Sequence, residues 1–416
     1  MPLNSIRKTM IIINNTLQVI FISLVFIGLS SGSAFWALSA SFKPSILLPL
    51  IALPFLFLSF RPKINLISGL LLFYIFIAIL HNFAYGVRDS FIDLFYISYI
   101  YLVFLAAQVT ANLLTTQKNS QTYKTSLIFF LTVTLLILAY FYEIKSGVSL
   151  VGKTNDFGGG IYSSTFNNVN DFASYIAIVT PLLLYFVDKY RNSSSLYISL
   201  YLFLCLIIFL LASRTALLAI LLIPVAYMLF RAKFIQSLLL VLLILILSQL
   251  NWEEIIYSLT KVDNEIISRS ASRVSLALYD FESDNSASYR LDSYYHFFNN
   301  IFETVIGTGT KNYAAFYGEK FSGTVVGANP HSFFIEITLA FGWLGLTTIV
   351  AIFTKLIFNI YRMKKTMKLE YFYGMTSLII FILISNVPST IIRLPILFFP
   401  IFFFYCLSKT NKCLKN

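Results

Sequence analysis

Long apolar runs, separated by short polar stretches, dominate the chain. Most runs extend over about 17–25 residues, the length that a helix needs to cross the hydrocarbon core of a membrane. We therefore predict about twelve membrane-spanning helices, near residues 10–30, 44–60, 64–84, 91–111, 125–143, 168–187, 195–212, 215–230, 234–250, 331–359, 371–387 and 394–408.

The composition agrees with this pattern. Hydrophobic residues make up 58% of the 416 residues and charged residues only 12%, whereas soluble domains carry roughly 25% charge. The sequence predicts an all-α polytopic membrane protein with one helical bundle. We divide it into helices one to nine at 1–250, a large outer loop at 251–330, and the last three helices with a cytoplasmic tail at 331–416.

The first apolar run follows Arg7 and Lys8 and has the flanks of a signal peptide. It is long for the apolar core of such a peptide. We therefore expect it to remain as the first membrane helix.

Lysine and arginine in the short loops predict the orientation. The net charge of +12 is therefore a feature of membrane topology and does not indicate a nucleic-acid partner. We expect both termini in the cytoplasm, because one side carries most of the basic loop residues, at positions 7, 8, 61, 63, 118, 124, 189, 191, 231, 233, 362, 364, 365, 368, 409, 412 and 415.

The segment from Asn251 to Pro330 is the longest polar stretch. It is longer than structureless connections normally are, so we predict helices within it. Residues 266–279 show the pattern of an amphipathic helix with Arg269 and Arg273 on its polar side. Residues 289–305 predict a second helix that ends before Gly307.

Neither the cysteines nor the carboxylates predict a metal or cofactor. Cys205 and Cys406 lie in apolar runs, and Cys413 lies in the charged tail, without metal-ligand spacing. The first outer loop, residues 31–43, holds no acidic residue, although Mg²⁺ at a sugar–phosphate site needs carboxylates. No P-loop pattern is present.

Two arginines on the predicted outer side are candidates for anion binding. Arg214 stands in a tight turn between two apolar helices, and Arg290 stands in the second loop helix. Each could be an interfacial or solvated arginine only. If both face one site, their guanidinium groups could hold a pyrophosphate through paired hydrogen bonds.

His331 is a candidate general base. It follows Pro330, which we place in the first turn of the next helix, with Asn329 as the cap. Imidazole titrates near neutral pH, which suits a base, although His331 could equally serve only the helix start. Glu336, deeper in the same run, could be a substrate ligand or an interhelical hydrogen-bond partner.

Other polar and aromatic side chains allow two interpretations. His81 and Asp93 could form a buried polar pair, for which a structural role is the simpler account. Tyr294, Tyr295 and His296 could stack on sugar rings or pack against other helices.

These residues together resemble a known family. Their order is Ser213-Arg214-Thr215 in a short outer turn, then Arg290 and Gly307-Thr-Gly309 in a large outer loop. His331-Ser-Phe-Phe-Ile-Glu336 and Gly342-Trp-Leu-Gly345 follow, and Thr165-Phe-Asn-Asn-Val-Asn170 lies upstream. This pattern resembles the O-antigen ligase/polymerase superfamily of bacterial envelope enzymes. Val169, Ser332 and Phe341 depart from the residues that are usual there, which blurs the subfamily.

The resemblance implies a GT-C-like, metal-independent glycosyltransferase without a cofactor, in the bacterial inner membrane with its active site facing the periplasm. Its donor would be an undecaprenyl-pyrophosphate-linked oligosaccharide, and a chain-length regulator could be a partner. By similarity, Arg214 and Arg290 would bind the pyrophosphate and His331 would activate the acceptor hydroxyl. The other candidate substrate ligands are Asn167, Asn170, Tyr294 and Glu336.

Three functions remain open at this point. A Wzy-type polymerase would transfer the glycan to another lipid-linked repeat unit, and we favour it because of the Thr165–Asn170 element and the long aromatic loop. An O-antigen ligase would transfer it to lipid A–core, and related enzymes transfer glycans to protein. A transporter or flippase with twelve helices is the alternative from another class, which internal pseudo-symmetry would indicate.

Overall fold

The computed structural model describes residues 3–30, 43–85, 91–116, 120–150, 162–166, 168–191, 193–231, 242, 249–279, 285–310, 316, 330–386 and 391–413. The described part is helical and contains no strand. We number its α-helices in chain order: α1 Leu3–Ser30, α2 Pro44–Ser59, α3 Leu66–Tyr85, α4 Phe91–Thr116, α5 Ser120–Ser146, α6 Val169–Tyr190, α7 Ser194–Leu210, α8 Arg214–Phe230, α9 Trp252–Thr260, α10 Glu265–Tyr279, α11 Asn285–Asn299, α12 Phe333–Tyr361, α13 Lys368–Ile384 and α14 Phe399–Cys413.

The predicted all-helical membrane architecture is confirmed in its coarse form. Within the described residues, six helical segments are long and apolar enough to cross a membrane: Met10–Ser30, Leu66–Ala84, Asp93–Thr115, Lys124–Ser146, Val169–Tyr190 and Phe333–Lys365. Pro44–Ser59, Ser194–Leu210, Arg214–Phe230 and Pro395–Thr410 are shorter apolar helices. Apart from position 242, the predicted span at 234–250 has only its last two residues among those described. The number of twelve spans and the GT-C-like arrangement stay predictions.

The centre of the bundle is formed by α6 and α4. In α6, 94% of the most apolar window is buried inside the protein, and in α4 78% is buried. The corresponding values are 33% for α1 and 39% for α3 and α5. A helix that is buried on all sides lies in the core of a bundle, whereas the outer helices keep a face for lipid.

Two salt bridges lie together at one end of the bundle. Lys189 Nζ lies 2.6 Å from Glu370 Oε1, which joins the end of α6 to the start of α13. Arg231, after α8, pairs with the Asp188 carboxylate. We call this end, where the predicted cytoplasmic basic residues gather, the basic end; the opposite end, which holds the start of α12, is the His331 end.

The helix α12 is broken, which corrects the prediction of one continuous span at 331–359. Gly342 has φ 66° and ψ −168°, a non-helical conformation that only glycine adopts easily. A segment of the large loop fills the break: Thr308 N donates to Leu339 O at 2.8 Å, and Trp343 N donates to Val305 O at 3.2 Å. These bonds satisfy backbone groups that the break would otherwise leave without partners.

The predicted helices of the large loop are present with shifted limits. The predicted helix at 266–279 is confirmed as α10, Glu265–Tyr279. The helix predicted at 289–305 is instead α11, Asn285–Asn299, followed by a 3₁₀ turn at Ile301–Thr304. Thr310 then anchors the segment on α3, because its backbone N donates to Asn82 Oδ1 at 3.1 Å.

Candidate functional site

His331 stands in a turn before α12. Its φ of 49° is in the left-handed region, which is uncommon for a residue with a side chain. The helix begins only at Phe333, whose N donates to Ser385 O at 2.9 Å. The prediction that Pro330 lies in the first helical turn is therefore wrong, because the turn at His331 ends the extended segment first. Asn329 lies outside the described residues.

Tyr294 connects the large loop to His331. Its hydroxyl donates to His331 O at 3.5 Å and to Asn386 Oδ1 at 3.5 Å. Arg290 precedes Tyr294 by one turn of α11, and residues four apart lie on one face of a helix. The structure thus places the backbone of Arg290 on the face of α11 that Tyr294 turns towards the start of α12.

Arg214 lies at the same level of the bundle. It is the first residue of α8, which packs antiparallel to α13 through ring contacts of Tyr227 with Phe372 and of Phe230 with Tyr371. Arg214 precedes Tyr227 by as many residues as Ser385 follows Phe372. Both therefore lie about 20 Å along the helix axes from that contact. Ser385 is the residue whose carbonyl accepts from Phe333 beside His331.

The start of α6 reaches this level too. Asn168 caps the helix, with its Oδ1 accepting from Asn170 N at 2.9 Å, which confirms the predicted N-cap. The rings of Tyr185 in α6 and Tyr373 in α13 lie 5.7 Å apart. Counting from this contact along antiparallel helices places Asn170 about one turn beyond Ser385. Asn167 lies outside the described residues.

Glu336 is buried and holds a backbone segment. Its side chain is in the first turn of α12, and its Oε2 accepts from Ile391 N at 3.1 Å. Two residues further along, Arg393 pairs with Asp93 through Nε at 2.7 Å and Nη2 at 3.3 Å. His81 Nδ1 instead contacts Ile77 O. The suggested pair of His81 with Asp93 is thus replaced by an arginine–carboxylate pair.

Two further arginines surround the turn before Arg214, although the sequence assigned them only to a polar helix face. Arg273 Nη1 donates to Ala212 O at 3.2 Å. Arg269 lines a cavity of about 30 Å³ together with Ala212 and Tyr140. The positive φ of Ala212, 53°, directs its carbonyl to this helix. The amphipathic pattern of α10 was the only sequence signal.

Glu143 is a buried carboxylate that sequence reasoning missed. It lies near the end of α5, and its Oε1 accepts from Leu150 N at 2.7 Å. Its Oε2 accepts from Ser164 N at 2.6 Å. One carboxylate therefore holds the chain on both sides of the 151–161 segment, directly before the Thr165–Asn170 element.

The helix α11 presents an apolar stripe on its outer face. The large side chains at intervals of three or four residues are strongly exposed: Leu291 58%, Tyr295 67%, Phe298 63%, Phe302 77% and Ile306 70%. Phe302 lies 5.6 Å from Trp343, ring centroid to ring centroid, so the stripe joins the surface of α12. Such a stripe is typical of a helix that lies in the interface of a membrane.

Comparison with known proteins agrees with these residues. The model of the O-antigen ligase family matches residues 198–350, which include Arg214, Arg290, His331 and Glu336. The match confirms the resemblance to the O-antigen ligase/polymerase superfamily. No curated protein and no solved structure matches the chain.

Proposed function

We propose that this protein is a polymerase of surface polysaccharide synthesis. It transfers an undecaprenyl-pyrophosphate-linked glycan to another lipid-linked repeat unit, in a metal-independent reaction that inverts the anomeric centre. The reaction takes place at the His331 end, which faces the periplasm of a bacterial inner membrane. The O-antigen ligase family match over residues 198–350 supports a ligase- or polymerase-type glycosyltransferase.

The observation that carries the proposal is the hydrogen bond from Tyr294 to His331 O. It ties the loop helix of Arg290 to the turn that carries the candidate base. Arg214 and Asn170 reach the same level through their packing against α13. Four separate parts of the chain thus contribute polar residues around one helix end, which is how active sites are commonly assembled.

The arginines suit the leaving group. A pyrophosphate gains negative charge as the glycosidic bond breaks, and guanidinium groups can bind its oxygens in pairs. Arg214 and Arg290 would bind it directly, while Arg269 and Arg273 beside the same turn add positive potential. Groups that are fixed before the reaction stabilise such charge without reorganisation.

His331 completes the reaction as general base. It accepts the proton of the acceptor hydroxyl, whose oxygen forms the new bond to the anomeric carbon. The bond from that carbon to the pyrophosphate oxygen breaks, and its electron pair leaves with the pyrophosphate. Attack from the face opposite to the leaving group inverts the configuration. Tyr294 and the buried Glu336 would position the sugars and the base.

The apolar stripe on α11 supports a lipid-linked donor. A helix that lies in the membrane interface keeps its polar face close to the head-group level. The pyrophosphate of a polyprenyl donor lies at that level because its lipid is in the membrane. The stripe Leu291–Ile306 would therefore hold Arg290 at the depth where the donor presents its charge.

An O-antigen ligase is the second candidate, and the description of the matching family favours it. Polymerase and ligase share the donor and differ in the acceptor. The Thr165–Asn170 element and the aromatic loop favour the polymerase.

The test supplies the purified protein with a lipid-linked repeat unit, alone or with lipid A–core. A ladder of lipid-linked oligomers without lipid A–core supports the polymerase, and transfer only to lipid A–core assigns a ligase. Activity should persist in a chelator. Loss of activity in the chelator, restored by Mg²⁺ or Mn²⁺, would contradict the metal-independent reaction.

A further inference from the structure

A cavity at the basic end has the properties of an anion site. Its volume is about 60 Å³, and it lies between the connection from α2 to α3, the end of α4 and the end of α14. Lys63, Asn65, Asn112 and Lys409 line it, and no acidic residue does. It lies at the opposite end of the bundle from His331, so the proposed transfer reaction leaves it without a role.

The backbone that carries Lys63 is fixed in place. Lys63 N donates to Gln108 Oε1 at 3.2 Å, and Gln108 Nε2 donates back to Lys63 O at 3.0 Å. The Gln108 side chain comes from α4 and is buried, with 7% exposure. A reciprocal pair between Asn65 and Ser68 fixes the start of α3. The site is thus formed before any ligand arrives, which lowers the entropic cost of binding.

The chemistry of the lining selects a negatively charged ligand. Lys63 and Lys409 supply two ammonium groups, and Asn65 and Asn112 supply amide groups that can donate hydrogen bonds. Lys409 Nζ lies 5.8 Å from the centroid of the Tyr405 ring, which lines the same cavity. Basic pockets between membrane helices on the cytoplasmic side bind the head groups of anionic lipids.

The size of the cavity and its surroundings narrow the ligand to a lipid phosphate. About 60 Å³ accommodates roughly four water-sized groups, which matches the four oxygens of one phosphate but not a sugar nucleotide. Exposed apolar side chains flank the same connection: Phe57 71%, Leu58 72% and Ile64 84%. An acyl chain could lie on them while the phosphate occupies the cavity.

We propose that the cavity between Lys63 and Lys409 binds the phosphate of an anionic phospholipid from the membrane leaflet at the basic end. The lipid joins the α2–α3 connection, α4 and α14, and binding to the folded protein stabilises it. Free phosphate offers the same chemistry without the acyl chains.

Native mass spectrometry of the detergent-purified full chain tests the proposal with phosphatidylglycerol, phosphatidylethanolamine and inorganic phosphate as separate probes. Wild type should retain phosphatidylglycerol in preference to phosphatidylethanolamine. Lys63→Gln with Lys409→Gln should weaken phosphatidylglycerol binding about thirtyfold, and each single change about fivefold. The melting temperature without lipid shows that the variants fold.

Lys364→Gln with Lys365→Gln is the matched control. These exposed lysines lie in the 3₁₀ turn after α12, also at the basic end, and do not line the cavity. Equal phosphatidylglycerol binding in both double variants would overturn the site. Stabilisation by inorganic phosphate alone, lost in the Lys63/Lys409 variant without any phosphatidylglycerol adduct in wild type, would assign a free-phosphate site and contradict the lipid. Because these readouts need no transfer activity, they are independent of the proposed enzyme function.

Discussion

Tyr294 and His331 are joined by a hydrogen bond of 3.5 Å from the tyrosine hydroxyl to the histidine backbone carbonyl. Tyr294→Phe removes this bond and the bond to Asn386 while it keeps the ring. One such bond contributes about 0.5–1.5 kcal/mol, so we expect a loss of about two- to tenfold in turnover. Tyr295→Phe is the control, because this neighbouring side chain is 67% exposed. Equal turnover in both variants, measured at matched expression, would show that the bond does not position the site.

Gly342 is expected to be indispensable for the break in α12. A Cβ on Gly342 would lie 2.3 Å from Val305 O, and the φ of 66° strains any other residue. Gly342→Ala should lower the free energy of unfolding by at least about 1–3 kcal/mol, the usual cost of such strain. The measurement is the melting temperature of the purified protein.

Gly69→Ala is the matched control for that substitution. Gly69 lies in α3 with no atom within 4 Å of the added Cβ. Alanine favours a helix over glycine by about 1 kcal/mol, so this variant should be as stable as wild type or more stable. A Gly342→Ala protein as stable as Gly69→Ala would mean that the break is not needed.

Glu143→Gln should loosen the segment that leads to Asn170. The amide keeps one acceptor oxygen and turns its NH₂ group towards a backbone N–H. Because hydrogen bonds to charged groups contribute about 1.5–3 kcal/mol, we expect a loss of stability of that order and reduced transfer. Glu253→Gln, an exposed glutamate in α9, should have no effect. Unchanged stability in Glu143→Gln would contradict the anchoring role, with thermal unfolding as the measurement.

Orientation can be checked by labelling a cysteine at Ser283 in the large loop, in a variant without the native cysteines. The charge asymmetry predicts labelling from the periplasmic side. A cysteine at Lys364, at the basic end, should be labelled only from the cytoplasm. Labelling of Ser283→Cys from the cytoplasm alone would reverse the proposed topology and place His331 on the wrong side for a periplasmic reaction.

The sequence predicted the helices well because their apolar runs are long and local. It also identified Arg214, Arg290 and His331 as candidates, since each stands where a polar segment meets an apolar one. What it missed depends on contacts between distant residues. Asp93 pairs with Arg393, 300 positions away, and the break at Gly342 is filled by a segment of the large loop. The early end of the turn at His331 likewise depends on a carbonyl of α13.

The central claim is that Arg214, Arg290 and His331 act as one site on a lipid-linked glycan. Arg290→Lys and Arg214→Lys keep the charge but lose the paired hydrogen bonds. Each should reduce turnover by about 10²–10³, and His331→Ala by about 10²–10⁴. Arg362→Lys, at an exposed arginine of the basic end, should be unaffected.

The most direct measurement is therefore the turnover of a purified lipid-linked repeat unit by Arg290→Lys and His331→Ala, in preparations that match wild type in expression and melting temperature. Losses of at least about a hundredfold in both variants, with a normal rate in Arg362→Lys, are the result we predict. Turnover close to wild type in both variants would make these residues structural and contradict the proposed active site.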